Sequence, residues 1–310
     1  MSNRRSFVSG LTAGLLGVHL RAYGSEPPPS RVRTNLVTGF FKIGYFQKRK
    51  PGMSMQEFKE YYEKSHVPLA CRCLAYNATE YSRKYLTARP VGFIERPNAN
   101  SVVPESPYDV FVELKFATRN AFEKAVAKAN DSKLELLRAD EDKFLLRTDR
   151  RIYHVEEHVS PLSMVRRDHA LHNPANATQK AQGKPALRSA SLFKRKPGTS
   201  PEEFKAYYEN HHVEMGYKYI VYNAHLYSRK YLEPLDSGPP WPFDVFMELE
   251  ADSQEDLGRV MATLTPADRE TIAIDEGKFM DRTDTGRLSF SVEQHTTSAE
   301  EIKRFAQARS

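Results

Sequence analysis

At 310 residues, with 40% hydrophobic and 28% charged side chains, the chain has the composition of a soluble globular protein about two domains long. No apolar run is long enough to form an integral membrane segment. The net charge of +6 comes mostly from residues 1–34; the remainder carries 41 basic and 39 acidic side chains, which argues against a nucleic-acid partner, since one would want a basic stripe on the folded body.

Residues 1–34 read as an export signal and linker. Asn3-Arg4-Arg5-Ser6-Phe7-Val8 is a twin-arginine pattern, followed by a mildly apolar run and then by small residues at Ala22 and Gly24 before a Pro-rich segment. This predicts export of the folded protein to the periplasm. An organellar transit peptide, or a basic tail on a cytoplasmic protein, is the alternative.

The first domain is expected over residues 35–158. Phe40–Arg49 reads as a strand ending at the Pro51-Gly52 breaker. Ser54 with Glu57 forms a capping box for a helix whose Phe58, Tyr61, Tyr62 and Ser65 share one face, and Pro68 is expected to end it. Thr79–Leu86 and Tyr108–Phe116 alternate with period two and read as strands, separated by a Pro-, Asn- and Ser-rich loop. Thr118 caps a helix over 120–129, a further helical segment leads to Phe144, and Arg151–His158 is the last strand.

This order is then repeated. Lys48–Leu86 and Lys194–Leu232 align without a gap, with 23 of 39 positions identical at an offset of 146 residues. Such a match is an internal duplication. A linker is expected over 159–186, a second domain over 187–298 and a C-terminal tail over 299–310. Strand, helix, strand, strand, helix, strand is the split βαβ pattern, so the expected fold is α+β: two fused ferredoxin-like domains whose open sheet faces close into an eight-stranded barrel.

One strand face in each copy is unusually polar. Tyr81, Arg83, Tyr85, Asp109, Phe111 and Glu113, with Tyr227, Arg229, Tyr231, Asp244, Phe246 and Glu248, are expected to point into the central space. Two readings stand side by side: a salt-bridge network joining the halves, or an aromatic-lined cavity for a hydrophobic or aromatic small molecule.

His66 and His212 are the candidate catalytic groups. Phe58, Tyr62 and His66 are spaced by four, as are Phe204, Tyr208 and His212, so each histidine continues a largely buried helical face. Placed near a helix C-terminus, the imidazole suits acid or base work, or else it merely caps the last carbonyls. Cys71 and Cys73 face Tyr217 and Tyr219 in the other copy and are read as incidental. His154-Val155-Glu156-Glu157-His158 spells a metal motif, but it lies on a predicted strand, so no metal site is expected. No Gly-rich phosphate loop or nucleophile elbow is present.

Arg49-Lys50-Pro51-Gly52, Ser54, Glu57-Phe58, Tyr61 and His66-Val67-Pro68-Leu69, with Asp140–Phe144 further on, resemble the EthD domain of the dimeric α+β barrel superfamily. The resemblance covers about 40–158 and 187–295. The second copy departs from it at Glu214-Met215 in place of Pro68-Leu69 and at Ser189 and Ser191 in place of Ile43 and Tyr45. It implies an intramolecular dimeric α+β barrel acting, without a cofactor, as a small-molecule enzyme or accessory protein, with a decarboxylase of aromatic polyketides as the nearest activity. In that chemistry Arg83 would hold a carboxylate, Tyr62 or Tyr81 would orient a phenol, and His66 would protonate the ring carbon. Tyr208 and His212 would be their counterparts. A non-catalytic ligand-binding barrel is a second reading. A haem peroxidase of the dye-decolourising kind, whose G-x-x-D-G motif is absent, is a third, and a visible spectrum tests it. Self-association into a homo-oligomer is left open.

Overall fold

Turn and cap chemistry sets the first strand-to-helix join of each half. β2 (Phe41–Arg49) runs into Pro51-Gly52, where Gly52 holds a left-handed φ of 84°, and Gly198 repeats this at 86°. Ser54 then caps α1 (Met55–Tyr61), its hydroxyl accepting from the Glu57 backbone while Glu57 accepts from the Ser54 backbone at 2.9 Å. Ser200 and Glu203 do the same for the equivalent helix, Pro201–Tyr207.

The structure is a computed structural model, and it describes residues 35–89, 106–146, 151–161, 187–220, 224–235, 242–253, 262–283 and 286–308. The expected export signal, and the expected linker beyond residue 161, lie outside these residues. None of the helices among the described residues is long and apolar enough to cross a membrane.

Pro68 does not end the helix. After α1 the backbone widens into a π turn at Tyr62–His66, with the Val67 N–H donating to the Tyr62 carbonyl, and resumes as α2 (Val67–Cys73) with Pro68 in its first turn. Starting a new α segment there spares the proline its clash with a preceding carbonyl and its missing donor. The second half has the same π turn at Tyr208–His212 with Glu214 in place of Pro68, so the turn does not depend on proline. The histidines therefore sit within a continuous helical path, and the helix-terminus argument for a charged imidazole does not apply to them.

Eight strands close into an antiparallel barrel. β2 is followed around the wall by β6 (Tyr153–Val159), β8 (Leu226–Pro234), β9 (Val245–Ala251), β7 (Leu187–Phe193), β10 (Arg287–Ser298), β3 (Glu80–Arg89) and β4 (Val110–Phe116), and β4 pairs back to β2. The strands of the first half lie in the order β6-β2-β4-β3 and those of the second in the order β10-β7-β9-β8. The seams are β6 with β8 and β3 with β10. Short strands β1 (Asn35–Leu36) and β5 (Leu145–Leu146) extend β6 and β2.

Helices cover the outer face of this wall. α3 (Arg119–Lys128) and α4 (Asp131–Phe144) follow β4, and Pro266–Phe279 is the counterpart of α4 in the second half. Residues 299–310, expected as a tail, include a helix, Ala299–Gln307, whose buried Ile302 and partly buried Phe305 join the first half's core.

Strand alternation then decides which side chains meet. Arg83 lies opposite Val112 and Tyr85 opposite Val110, whereas Ser82 lies opposite Glu113 and Lys84 opposite Phe111. Tyr81, Tyr85, Val110 and Val112 accordingly pack under the helices with Phe58 and Tyr62, while Leu86, Phe111, Val155, Leu192, Phe246 and Phe290 fill the barrel interior. The expectation that Tyr81, Arg83, Tyr85, Tyr227, Arg229 and Tyr231 face the central space is thus corrected: the alternate residues of those strands do. Both faces of β3 and β8 are polar, so their sequence does not announce which side is the interior.

Glu113 and Glu248 do face the interior, and they are paired there. Lys84 Nζ lies 2.6 Å from Glu113 and 3.2 Å from Glu248. Lys230 lies 3.1 Å from Glu113 and also contacts Glu248. Two lysines and two glutamates, one of each from either half, make a neutral cluster in the barrel interior. Burial alone would raise Glu113 and Glu248, but the lysines outweigh it and hold both carboxyls below the ordinary range. Beside this cluster Phe111 packs against Phe246 with the rings tilted by 40° and 4.7 Å between centroids. Gly44 makes room for that ring, since a Cβ there would come within 2.7 Å of Phe111 Cζ.

Candidate functional site

The helix side of the sheet, outside the barrel, gathers most of the candidate residues. The π turn places Tyr62 and His66 on one buried face, and His66 is only 2% exposed. π turns of this kind recur at functional positions. The His66 imidazole lies edge-on to Tyr62, 4.9 Å between centroids, and against Phe144 at 5.0 Å.

Asp140, on α4, completes the arrangement. Its Oδ2 lies 2.8 Å from His66 Nδ1, and its Oδ1 accepts from the Tyr61 hydroxyl at 2.6 Å. Lys143 Nζ is 3.5 Å from the same oxygen. Burial by itself would raise the Asp140 carboxyl; the hydrogen bonds from His66 and Tyr61 and the charge of Lys143 outweigh it and keep it below the ordinary value. A carboxylate anchored in this way fixes which imidazole nitrogen carries its proton and leaves Nε2 for proton exchange. The second half repeats the pair: His212 Nδ1 lies 2.7 Å from Asp275, whose other oxygen accepts from Tyr207 at 2.7 Å.

Reading the sequence for sites passed over Asp140 and Asp275, although a signal for them exists. Asp-Glu-x-Lys-Phe occurs at 140–144 and again at 275–279, in register once the shorter second loop is allowed for. Retention in both copies, the same criterion that singled out the histidines, points to both aspartates.

Arg83 is committed elsewhere. Its Nε and Nη2 donate to the two oxygens of Glu63, and its Nη1 donates to Thr297 at 2.8 Å and to the Tyr81 carbonyl. Tyr85 donates to Glu63 at 2.6 Å, and His295 of β10 stands edge-on to the Tyr85 ring. The second half answers with Arg229 on Glu209, Ser160 and the Tyr227 carbonyl, Tyr231 on Glu209 at 2.7 Å, and His158 of β6 3.6 Å from Glu209. Each cluster is therefore completed by the last strand of the other half. Glu156, held by His158 and Lys205 against the opposing effect of burial, is brought down to about 2.

Asp109 and Asp244 are separate from both sites. Asp109 accepts from the Arg49 backbone at 2.8 Å and from its guanidinium at 3.1 Å, and Asp244 binds Arg195 in the same way, so each clamps the end of the first strand in its own half. Tyr227, like Tyr81, is buried beside the π-turn tyrosine of its half, here Tyr208. His154 pairs with Glu233 and His158 with Glu156 along β6, and among the described residues no group of three or more His, Cys, Asp or Glu side chains is placed to hold a metal ion. Burial pushes the Cys71 thiol up to about 12, so it stays protonated at neutral pH.

Comparison with solved structures places the fold. An anthrone oxidase-like protein superposes with a TM-score of 0.51 at 10% identity, covering 86% of this chain and 98% of its own. A mutant chlorite dismutase from Candidatus Nitrospira defluvii (TM-score 0.39, 10% identity, 87% and 97% covered) and a candidate monooxygenase from Lactobacillus acidophilus (0.39, 11%, 84% and 96%) are also similar. No curated protein sequence matches the chain. The EthD domain model matches it twice, at residues 50–148 and 196–283, and each match contains the Tyr, the His and the Asp just described. The chain belongs to the EthD domain family, with the domain present in tandem.

Proposed function

We propose that this protein is a small-molecule enzyme that works by acid/base chemistry on an aromatic, polyketide-like compound without a bound cofactor, and that His66 held by Asp140 is its proton-transferring group. We read the barrel as an intramolecular dimer of two ferredoxin-like units, each with one such His–Asp pair, of which the first is the working site. The observation that carries the proposal is the 2.8 Å contact between His66 Nδ1 and Asp140, repeated in the second half.

The reaction we favour is decarboxylation, a lyase reaction. The bond from the ring carbon to the carboxylate breaks, carbon dioxide leaves, and the electron pair stays on the ring. A proton from the His66 imidazolium then forms the new C–H bond, and water reprotonates the imidazole. Asp140 holds the imidazole in its tautomer and orientation, and proton transfer of this kind contributes roughly 10²- to 10⁴-fold. Arg83 takes no part as a carboxylate clamp, because Glu63, Thr297 and Tyr81 already use its donors.

Carbon dioxide release from hydroxylated aromatic acids by wild type, His66→Ala and Asp140→Asn tests the proposal. Turnover by wild type with a hundredfold or greater loss in both variants is expected; unchanged turnover in either variant would sink it. One observation favours a non-catalytic ligand-binding barrel instead, the near-complete burial of His66 at 2% exposure. Ligands that raise the melting temperature but are recovered unaltered would support that reading. The export reading of residues 1–34 is likewise a proposal: Arg4→Lys with Arg5→Lys should retain the protein in the cytoplasm, and continued export would contradict it.

A further inference from the structure

Each π turn carries one acidic side chain that ties it to the sheet. In the first half this is Glu63, which follows Tyr62 and precedes His66 by three positions, whereas Lys64 beside it is exposed and pairs with Glu60 on the helix itself. Glu63 lies across β3: Arg83 donates to both of its oxygens, Nε at 3.0 Å, and Tyr85 donates to it at 2.6 Å. A fork of this kind fixes direction as well as distance, because the planar guanidinium meets the carboxylate along two parallel bonds. The guanidinium is itself held, buried over the Tyr81 ring at 4.7 Å and bound through Nη1 to Thr297 on β10 at 2.8 Å. In the second half Arg229 forks onto Glu209, covers the Tyr227 ring and binds Ser160, directly after β6, at 2.8 Å.

Register is what such a tie controls in a π turn. The wide turn holds one residue more than an α turn, and one residue moves whatever follows by about 100° around the helix axis. His66 is the last residue of the turn, so the direction of its ring towards Asp140 on α4 depends on the turn keeping its wide form. Pro68 does not supply the hold, since the second half keeps the turn with Glu214 at that position. Nor does the contact between Tyr62 and Gln47, since Phe193 stands where Gln47 does. The carboxylate fork is present in both halves.

We infer that Glu63 is a positioning residue: its fork with Arg83 holds the π turn in the register that seats His66 on Asp140, and Thr297 of the second half braces that fork. Glu209, braced by Ser160 of the first half, does the same for His212 and Asp275. Each His–Asp pair is thus set by the strand end of the opposite half. The catalytic consequence rests on the proposed function, whereas the positioning itself exists without substrate.

Proton NMR of the full chain without ligand tests this. An Nδ1–H held on a carboxylate resonates far downfield of the backbone amides, and loss of one such signal in His66→Ala and of the other in His212→Ala assigns the two. Thr297→Val, which keeps the side-chain shape and removes the acceptor, should shift or broaden the His66 signal and leave that of His212 in place, and Thr297→Ser should restore it. Ser160→Ala should do the converse. Glu63→Gln should disturb the His66 signal more than Thr297→Val does, and should lower kcat on hydroxylated aromatic acids about tenfold or more with KM within about twofold. Melting curves establish that each variant is folded, and Thr297→Val with its serine rescue decides if Glu63→Gln is not. A His66 signal unmoved by Thr297→Val and Glu63→Gln, equal disturbance of both histidine signals, or failure of serine to rescue would overturn the inference. Lost turnover in His66→Ala with an unmoved His66 signal in those variants defeats the inference alone. Unchanged turnover in His66→Ala, or in Glu63→Gln with its His66 signal displaced, defeats the acid/base reading alone.

Discussion

The two halves hold their histidine–aspartate pairs almost identically, at 2.8 Å and 2.7 Å, and differ in what surrounds them. Gln47, Cys71 and Pro68 in the first half stand where Phe193, Tyr217 and Glu214 stand in the second, while Tyr45 and Ile43 are answered by the small Ser191 and Ser189. The Ala299–Gln307 helix also adds Ile302 to the first half's core. The part retained in both copies is thus the His–Asp pair with its supporting tyrosine, to which we assign proton transfer, and the part that diverged is the packing around it.

The largest expected effect compares the two histidines. His66→Ala should reduce turnover by about 10²- to 10⁴-fold, and His212→Ala by much less. Steady-state rates on any active hydroxylated aromatic acid measure this, and equal losses would place the working site in both halves.

The shared centre should behave in the opposite way, without preference between halves. Lys84→Met and Lys230→Met each leave a buried carboxylate short of a partner, and each should destabilise the fold by about 3–5 kcal/mol in denaturant unfolding. A large cost for one and none for the other would show that the central cluster is not symmetric. Lys84→Met combined with Glu113→Leu should be less damaging than the sum of the two single changes, because the pair is removed together.

Acid should sharpen the comparison at the seams. Glu157 is lowered from about 4.5 to about 2 by Lys230 and Lys42 acting against burial, and Glu156 to about 2, chiefly by His158. Their folded values are depressed, so the stability they supply is complete above about pH 4.5 and is lost as pH falls towards 2. Thermal melts from pH 6 down to pH 2 should show a steep decline in that window. Glu156→Gln should flatten it more than Glu293→Gln, since Glu293 is 55% exposed on its own seam. An acid profile unaltered by Glu156→Gln would contradict the assignment.

The smallest effect concerns packing between the central rings. Gly44→Ala should push against Phe111 and cost about 1–3 kcal/mol, whereas the second half already accommodates Ala190 at the matching position. A neutral Gly44→Ala would mean that Phe111 can shift.

Much of this was legible in the sequence for identifiable reasons. The duplication, the Ser54/Glu57 and Ser200/Glu203 caps and the strand order are local signals, and four-residue spacing correctly placed Tyr62 and His66 together on a buried face. What failed needed tertiary information. β3 and β8 carry tyrosine and arginine on one face and lysine and serine on the other, so alternation could not say which was inside; pairing with β4 and β9 settles it. Pro68 suggested a helix end because a π turn leaves no mark in residue propensities. Asp140 is 74 positions from His66, so no local pattern joins the two.

Deuterium exchange tests the central claim most directly, because it follows proton transfer at carbon without requiring the full reaction. A hydroxylated aromatic ligand that binds the protein is incubated with it in D₂O, and deuterium at the ring carbons is followed by mass spectrometry. The account predicts incorporation catalysed by wild type, reduced at least a hundredfold in His66→Ala and in Asp140→Asn. Incorporation at the wild-type rate in His66→Ala would contradict it.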